Sequence, residues 1–427
     1  MKYDCIIIGG GLAGLTCGLK CLDDGLSCAI ISAGMSALHF SSGSIDLLGY
    51  DPPGQVVPAP FETLSRFIEA RPGHPYAKCG PETIEASLDF FRRELLAEGL
   101  EICSNGRDNH FHVTALGTLR PTYLSQASVF NERIREAFFR QPRIAVLTVK
   151  GFRDFHPGLA AANLRRNALF KDCEIVTGQI ELPWFEQTPQ NPHEFRSIDL
   201  GRMFDSGRGL GLVAARVKEA ARGAVFVGLP AVIGFEDYNR VMKRLMDLTE
   251  LIIYEVPTLP PSILGLRMDN ALKSRFAARG GVFIAGDRVI GGEITGGRLD
   301  HVHTRNYGDS RLRAGHFVLA GGSFFSGGLV SEFDRMSEPV FGLEMDYQPG
   351  RGNWYSPAFL DRRGHPFLEY GVKTDQALRP LDRHGRPVEN LLCVGAVLAG
   401  YNPVKEGSGG GTAIATGFQA ALRVAAD

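Results

Sequence analysis

Apolar and polar positions fall into short blocks whose period switches repeatedly between strand and helix. Residues 4–8 are a brief apolar run, and Gly9-Gly10-Gly11-Leu12-Ala13-Gly14 follows at once. Leu15, Leu19 and Leu22 then recur on one helical side, Gly25 marks a stop, and residues 27–31 form a second apolar run. This pattern predicts a strand, a glycine turn, a helix and a second strand, the opening of a doubly wound α/β domain. Residues 52–60 are proline-rich and read as a loop. Pro81 at a first-turn position and Gly99 as a stop frame a helix over 81–98. Alternation returns as a strand at 143–149, a helix at 158–169 and a strand at 174–182. The stretch 183–192 is rich in Pro, Gln and Asn and suits a domain crossing. Beyond it, helices are expected at 209–221 and 237–248, with a buried run up to Phe235 between them. Residues 281–318 alternate short apolar runs with Gly-Gly and Gly-Asp pairs, the chemistry of hairpins.

Composition narrows the class. Glycine makes up 52 of 427 residues without a G-X-Y period, so the surplus belongs to tight turns and close backbone approach. Lys+Arg (46) and Asp+Glu (47) balance to a net charge of −1, which gives no general attraction to nucleic acid. The apolar 44% and charged 22% fit a folded soluble chain. No apolar run reaches the ~18 residues of a membrane span, and the longest candidate, 223–235, contains a proline. No secretory signal precedes the first strand, and none of the eight cysteines forms a C-x-x-C pair. The thiols therefore read as reduced and cytosolic, and no metal or iron–sulphur site of the chain's own is expected.

The glycine motifs point to a nucleotide. In Gly9-x-Gly11-x-x-Gly14 the first glycine allows the turn and the second lets a pyrophosphate approach. The third lets helix and strand pack closely, and the helix N-terminus adds N–H donors and partial positive charge. Leu12 and Ala13 open that helix. The acid that bonds ribose at the end of the second strand is missing: Ser32 stands there, followed by Ala33-Gly34, which weakens the case for an adenosine-bearing cofactor and leaves a mononucleotide open. Downstream, Ser41, Ser42 and Ser44 surround Gly43 and offer hydroxyl and N–H donors to a flavin, with His39 beside them as a candidate proton donor or covalent anchor. The strand at 315–319 ends in Ala320-Gly321-Gly322, where a two-domain flavoprotein returns to its cofactor domain. A last strand leads to Gly395-Ala396, and a helix begins at Gly410-Gly411-Thr412. Such an N-terminus suits the flavin N1–O2 edge, where negative charge gathers on reduction. The order of these elements predicts a two-domain α/β flavoprotein of the Rossmann-like FAD/NAD(P)-binding fold. Residues 1–190 and 312–427 form the flavin-binding domain, and 191–311 an inserted α+β substrate or capping domain.

Five stretches go beyond that general pattern: SALHFSSGSIDLL (36–48), ALGTLRPTYL (115–124), PAVIGF (230–235), EVPTLPPSILGLR (255–267) and EGSGGGTAIATG (406–417). On these the chain resembles the B subunit of anaerobic glycerol-3-phosphate dehydrogenase over nearly its whole length. The resemblance implies a three-subunit complex that oxidises sn-glycerol 3-phosphate to dihydroxyacetone phosphate. It passes electrons to quinone, in anaerobic respiration and glycerol catabolism. It implies two partners for this chain: a catalytic FAD-bearing flavoprotein and an iron–sulphur protein that anchors the complex. This chain itself is then cytoplasmic and held peripherally at the membrane's inner face. The resemblance also implies one flavin here, commonly assigned as FMN, although this fold normally holds FAD.

The substrate chemistry needs a base for the hydroxyl proton and cations for the phosphate. Arg120 and Arg267 are the phosphate candidates. His301, with His303 and Arg305, is a further candidate base or phosphate contact, because alternate residues of a strand share one face. A relay or scaffold role without substrate chemistry of its own, and a free-standing flavin reductase, stay open. A flavoprotein acting on tRNA would need a basic stripe, which the balanced charge argues against.

Overall fold

Two runs dense in Ile, Cys and Ala, Lys2–Ile8 and Cys28–Ser32, form adjacent parallel strands. With every residue from Cys28 to Ser32 buried, they belong to a sheet covered on both faces. The computed structural model describes residues 2–140, 143–187, 191–308, 310–361, 363–382 and 384–427. It divides into two units, one of Met1–Ala37, Ile45–Glu98 and Asp269–Asp427, the other of Leu38–Ser44 and Gly99–Met268.

The first unit is built on five parallel strands in the order Val282–Ala285, Cys28–Ser32, Lys2–Ile8, Arg313–Leu319, Leu391–Cys393. Ile8 lies level with Ile31 on one side and Leu319 on the other, and Leu319 lies level with Cys393. The loops after four strands therefore leave from one edge of the sheet, the place where open α/β sheets bind ligands. The first helix, Leu12–Asp23, and the last, Gly409–Ala426, pack backbone to backbone. A Cβ on Gly417 would lie 2.4 Å from the carbonyl oxygen of Ala13.

The second unit has its own parallel sheet, ordered Ile252–Val256, Phe226–Pro230, Arg143–Val149, Glu174–Ile180. Its core gathers Leu147, Phe155, Phe204, Phe226 and Tyr254, all buried to 2% exposure or less. Each such side chain is worth about 1.5–3 kcal/mol. Two antiparallel ribbons, Ile102–Cys103 with Ser125–Gln126 and His110–Val113 with Leu119–Thr122, complete it.

These boundaries differ from the expected 1–190, 191–311 and 312–427. Resumed α/β alternation assigns the strands Arg143–Val149 and Glu174–Ile180 to the flavin-binding part. They pair instead with each other and with Phe226–Pro230, inside the second unit. Conversely the hairpin Val289–Thr295 and Arg298–Thr304 belongs to the first unit. Local periodicity predicts a strand but not its partner, because pairing is settled by long-range contacts. The expected crossing at 183–192 includes residues 188–190, which lie outside the described residues.

Candidate functional site

The glycine turn can be read by what a side chain would meet. Gly9 has φ +116°, and a Cβ there would lie 2.2 Å from the carbonyl oxygen of Ala320. A Cβ on Gly14 would lie 2.0 Å from the carbonyl oxygen of Gly9. Both positions are closed to larger residues by the chain's own packing. Gly11 is different: the nearest atom to a Cβ is Ser36 Cβ, at 3.9 Å. Nothing inside the protein demands glycine there, whereas a phosphate approaching the helix N-terminus would. This is the local signature of a nucleotide cradle, and these residues fit the pyrophosphate of a flavin nucleotide.

The other residues expected to line the cradle lie near the same sheet edge. The N–H of Ala320 donates to Ile8 O at 2.8 Å, which locks Ala320-Gly321-Gly322 beside the turn. Gly395 is held by its N–H to Thr416 Oγ1 at 2.9 Å, and Ala396 is exposed next to it. Ser32 is buried, with its hydroxyl donating to Gly34 O at 3.2 Å. The N-terminus of Gly409–Ala426 is fixed by a buried network. Glu406 accepts from Arg71 at 2.6 Å and Ser408 Oγ at 2.9 Å, and meets His74 Nε2 at 3.1 Å. Burial would raise the Glu406 pKa, but the His74 and Ser408 hydrogen bonds outweigh it and hold the carboxyl below its ordinary range. Tyr76 Oη donates to Leu47 O at 2.7 Å and lies 2.3 Å from where a Gly411 Cβ would be, so Gly410-Gly411-Thr412 is clamped from both sides.

The serine-rich segment divides between the units. Residues Leu38–Ser44 belong to the second, where Gly43, at φ +70°, leaves only 2.5 Å between an added Cβ and Leu264 Cβ. Ser41 Oγ donates to Leu38 O at 2.8 Å and accepts from the N–H of Gly43. Ser42 is partly buried, as is His39, whose carbonyl accepts from the N–H of Ser262 at 2.8 Å. Ser44 Oγ stands 3.1 Å from Ser125 Oγ and 3.4 Å from His112 Nδ1, and Ser125 Oγ stands 2.8 Å from His110 Nε2. Two imidazoles are thus joined through two hydroxyls. Burial, helped by the nearby His112, pushes the His110 pKa down to about 3, so this imidazole is neutral at physiological pH. Arg120 is exposed and stands directly across the ribbon from His112.

Two expectations are corrected. Arg267 is a candidate for the substrate phosphate by sequence, but its guanidinium is buried at 3% exposure. It donates to Glu255 at 2.6 and 3.1 Å and to the carbonyls of Ile233 and Gly234 at 2.9 and 2.5 Å. It pins the turn after Phe226–Pro230 and is a structural residue. His301 is a candidate base by sequence. It is buried between Asp300 (2.8 Å) and His303 (2.9 Å), and Asp300 also pairs with Arg313. Arg313 lies level with Lys2, at the start of a sheet whose glycine turn follows Ile8. Seven residues of strand separate those edges by roughly 20 Å, so His301 sits at the end away from the cradle.

Sequence reading misses His110, His112, Ser125, His74 and Glu406. The pair at 110 and 112 has the same alternate spacing as 301 and 303, and that is its one available signal. Glu406 opens the distinctive stretch 406–417, but its partners Arg71 and His74 lie over 300 residues upstream.

Comparison with known proteins agrees with this geometry. The family model described as "FAD binding domain" matches residues 4–412. The B subunit of anaerobic glycerol-3-phosphate dehydrogenase from Aliivibrio fischeri (strain MJ11) is 41% identical over 99% of this chain and 95% of its own length. The B subunit from Vibrio vulnificus (strain YJ016) is 40% identical over 99% and 96%. That of Yersinia enterocolitica serotype O:8 is 38% identical over 99% and 98%. With its cradle and its similarity both running the length of the chain, this flavin-fold protein belongs to the family of anaerobic glycerol-3-phosphate dehydrogenase B subunits.

Proposed function

We propose that this chain is a flavin-carrying subunit that oxidises the C2 hydroxyl of sn-glycerol 3-phosphate to dihydroxyacetone phosphate, with quinone as the final acceptor. The observation that carries the reading is the open Gly11 at a helix N-terminus, on the sheet edge from which three further loops emerge. Bound there, the flavin would supply the acceptor for the C2 hydride. The chain's part is to hold that nucleotide, to take the hydroxyl proton and to neutralise the substrate phosphate. His39 and the His112–Ser44–Ser125–His110 chain are the candidate imidazoles for the proton, and Arg120 is the cation for the phosphate. The subunit name of its relatives supports a multi-subunit complex, and in this reading the partners are a catalytic flavoprotein and an iron–sulphur anchoring protein through which the chain reaches the membrane. Among the described residues no helix is long and apolar enough to cross a membrane.

The test is anaerobic titration of the flavin-loaded chain with glycerol 3-phosphate. Bleaching of the flavin is expected. Bleaching only within the assembled complex would favour a relay role, which the commitment of Arg267 to Glu255 makes the second reading. Arg120→Ala is expected to lower kcat/KM about tenfold or more through loss of phosphate binding, and an unchanged value would remove Arg120 from the site.

A further inference from the structure

Four of the eight cysteines meet at one place in the first unit. Cys5, on the strand Lys2–Ile8, lies level with Cys28 on the neighbouring strand. Cys17 and Cys21 stand one turn apart on the helix Leu12–Asp23. All four are buried to 2% exposure or less. The Sγ atoms of Cys5, Cys21 and Cys28 lie within 4.8 Å of one another. Cys5 and Cys21 each hydrogen-bond with the other three thiols, so five of the six sulphur pairs are joined. The sulphurs outline a tetrahedron with five edges closed. No C-x-x-C spacing announces it in the sequence. Helical i, i+4 geometry brings Cys17 to Cys21, and strand register brings Cys5 to Cys28.

We infer that Cys5, Cys17, Cys21 and Cys28 form a site for one thiophilic divalent cation of the zinc class, taken up as the chain folds. The site is independent of the flavin reading above. A buried cysteine ordinarily acts as a small apolar filler, and that role alone would disperse the thiols among Ile, Leu and Val. Here they converge from three elements on one point. Convergent thiolates are the ligands such ions prefer, and four sulphurs in a tetrahedron are the usual closed structural site. Bonds of about 2.3 Å set the sulphurs of such a site about 3.8 Å apart, inside the limit that Cys5, Cys21 and Cys28 meet. Four S–H protons leave for solvent as four metal–sulphur bonds form. Four thiolates around a divalent ion leave excess negative charge, and the positive charge of Lys20 acts on Cys21 to offset part of it. Burial of all four sulphurs makes folding the moment of entry. The ion would tie the first helix to the first two strands, the elements that frame the glycine turn, roughly 13 Å along the strand from Gly9.

The test expresses the full chain, without an affinity tag, in cells grown in defined medium with either Zn²⁺ or Co²⁺. Metal content is measured on the purified protein, and the cobalt-minus-zinc difference spectrum removes the flavin bands. One ion per chain is expected from each medium, with an intense near-ultraviolet thiolate-to-cobalt band in the difference spectrum. A chelator is expected to remove the zinc only when urea unfolds the chain. Cys21→Ser and Cys28→Ser are expected to lower retained metal about tenfold or more, since loss of even an outer partner of a metal ligand costs that much affinity. Cys173→Ser is expected to retain it. The wild-type spectrum stands even where a variant fails to fold. Wild type without metal from either medium overturns the inference. So does cobalt without the thiolate band, which would place the ion on oxygen and nitrogen ligands such as Glu293, Asp300 and His301, whose ligand atoms also lie within 4.8 Å of one another. Undiminished metal in both Cys21→Ser and Cys28→Ser overturns it as well. Each of these results leaves the flavin reading untouched.

Discussion

At the scale of single residues, glycines with the same place in a motif do different work. Gly14→Ala puts a methyl 2.0 Å from Gly9 O and is expected to cost about 1–3 kcal/mol or more, seen as a lower Tm of the cofactor-free chain. Gly11→Ala meets nothing closer than 3.9 Å and should cost less than about 1 kcal/mol. It should still lower flavin affinity about tenfold or more, measured by flavin retention. Equal stability losses in the two variants would contradict the assignment of Gly11 to the ligand. His110 carries a pH signature. Burial and His112 depress its pKa from 6.5 to about 3 in the folded chain. The unfolded chain therefore takes up a proton first as pH falls. Stability is full above about pH 6.5 and is lost toward pH 3, at up to about 1.4 kcal/mol per pH unit from this one group. Urea unfolding between pH 7 and 4 should show that acid loss reduced in His110→Asn.

At the scale of elements, two buried ionic contacts fix the pieces that matter. Glu255 lies next to the end of the strand Ile252–Val256 and meets Arg267 on the helix Ile263–Ala278. Glu255→Gln leaves a buried guanidinium short of its charge partner and is expected to cost about 3–5 kcal/mol in denaturant unfolding. In the first unit, Glu406 fastens the turn before the last helix to Arg71 and His74. Glu406→Gln is expected to cost about 2 kcal/mol and to loosen flavin binding, because the helix N-terminus it positions would lose its fixed aim. The helices over 210–221 and 238–249 are close to their sequence expectation, because amphipathic periodicity is local information. The strand Ile252–Val256 and the helix Ile263–Ala278 do not stand out in the sequence. Both follow closely on other buried runs, where apolar density hides the period.

At the scale of the whole molecule, Cys5, Cys17, Cys21, Cys28 and Cys393 are buried, while Cys79, Cys103 and Cys173 are only partly so, and burial pushes the Cys79 thiol pKa up to about 12, which slows its reaction. A thiol reagent should label Cys103 and Cys173 in the native chain and reach the buried five only as the molecule unfolds. Rapid native labelling of Cys5 or Cys28 would mean that the first sheet opens locally. The flavin-binding character is legible in the sequence because the glycine turn is a contiguous signal: turn, phosphate approach and close packing are met within six residues, Gly9 to Gly14. The unit boundaries are not legible, because Arg143–Val149 has the same composition whichever sheet it joins.

Neighbouring residues alone dictate the cradle: a strand, a turn too tight for side chains and a helix whose N-terminus faces the ligand. Long-range packing settles the partners of the other candidate residues. It commits Arg267 to Glu255, carries His301 to the far edge of the sheet, and joins His110 to His112 through Ser125 and Ser44. It also joins Ser36 to Asp269. These pairings span from about a dozen to more than two hundred residues. Their free energy comes from burial and desolvation, which exist only once distant segments have packed together.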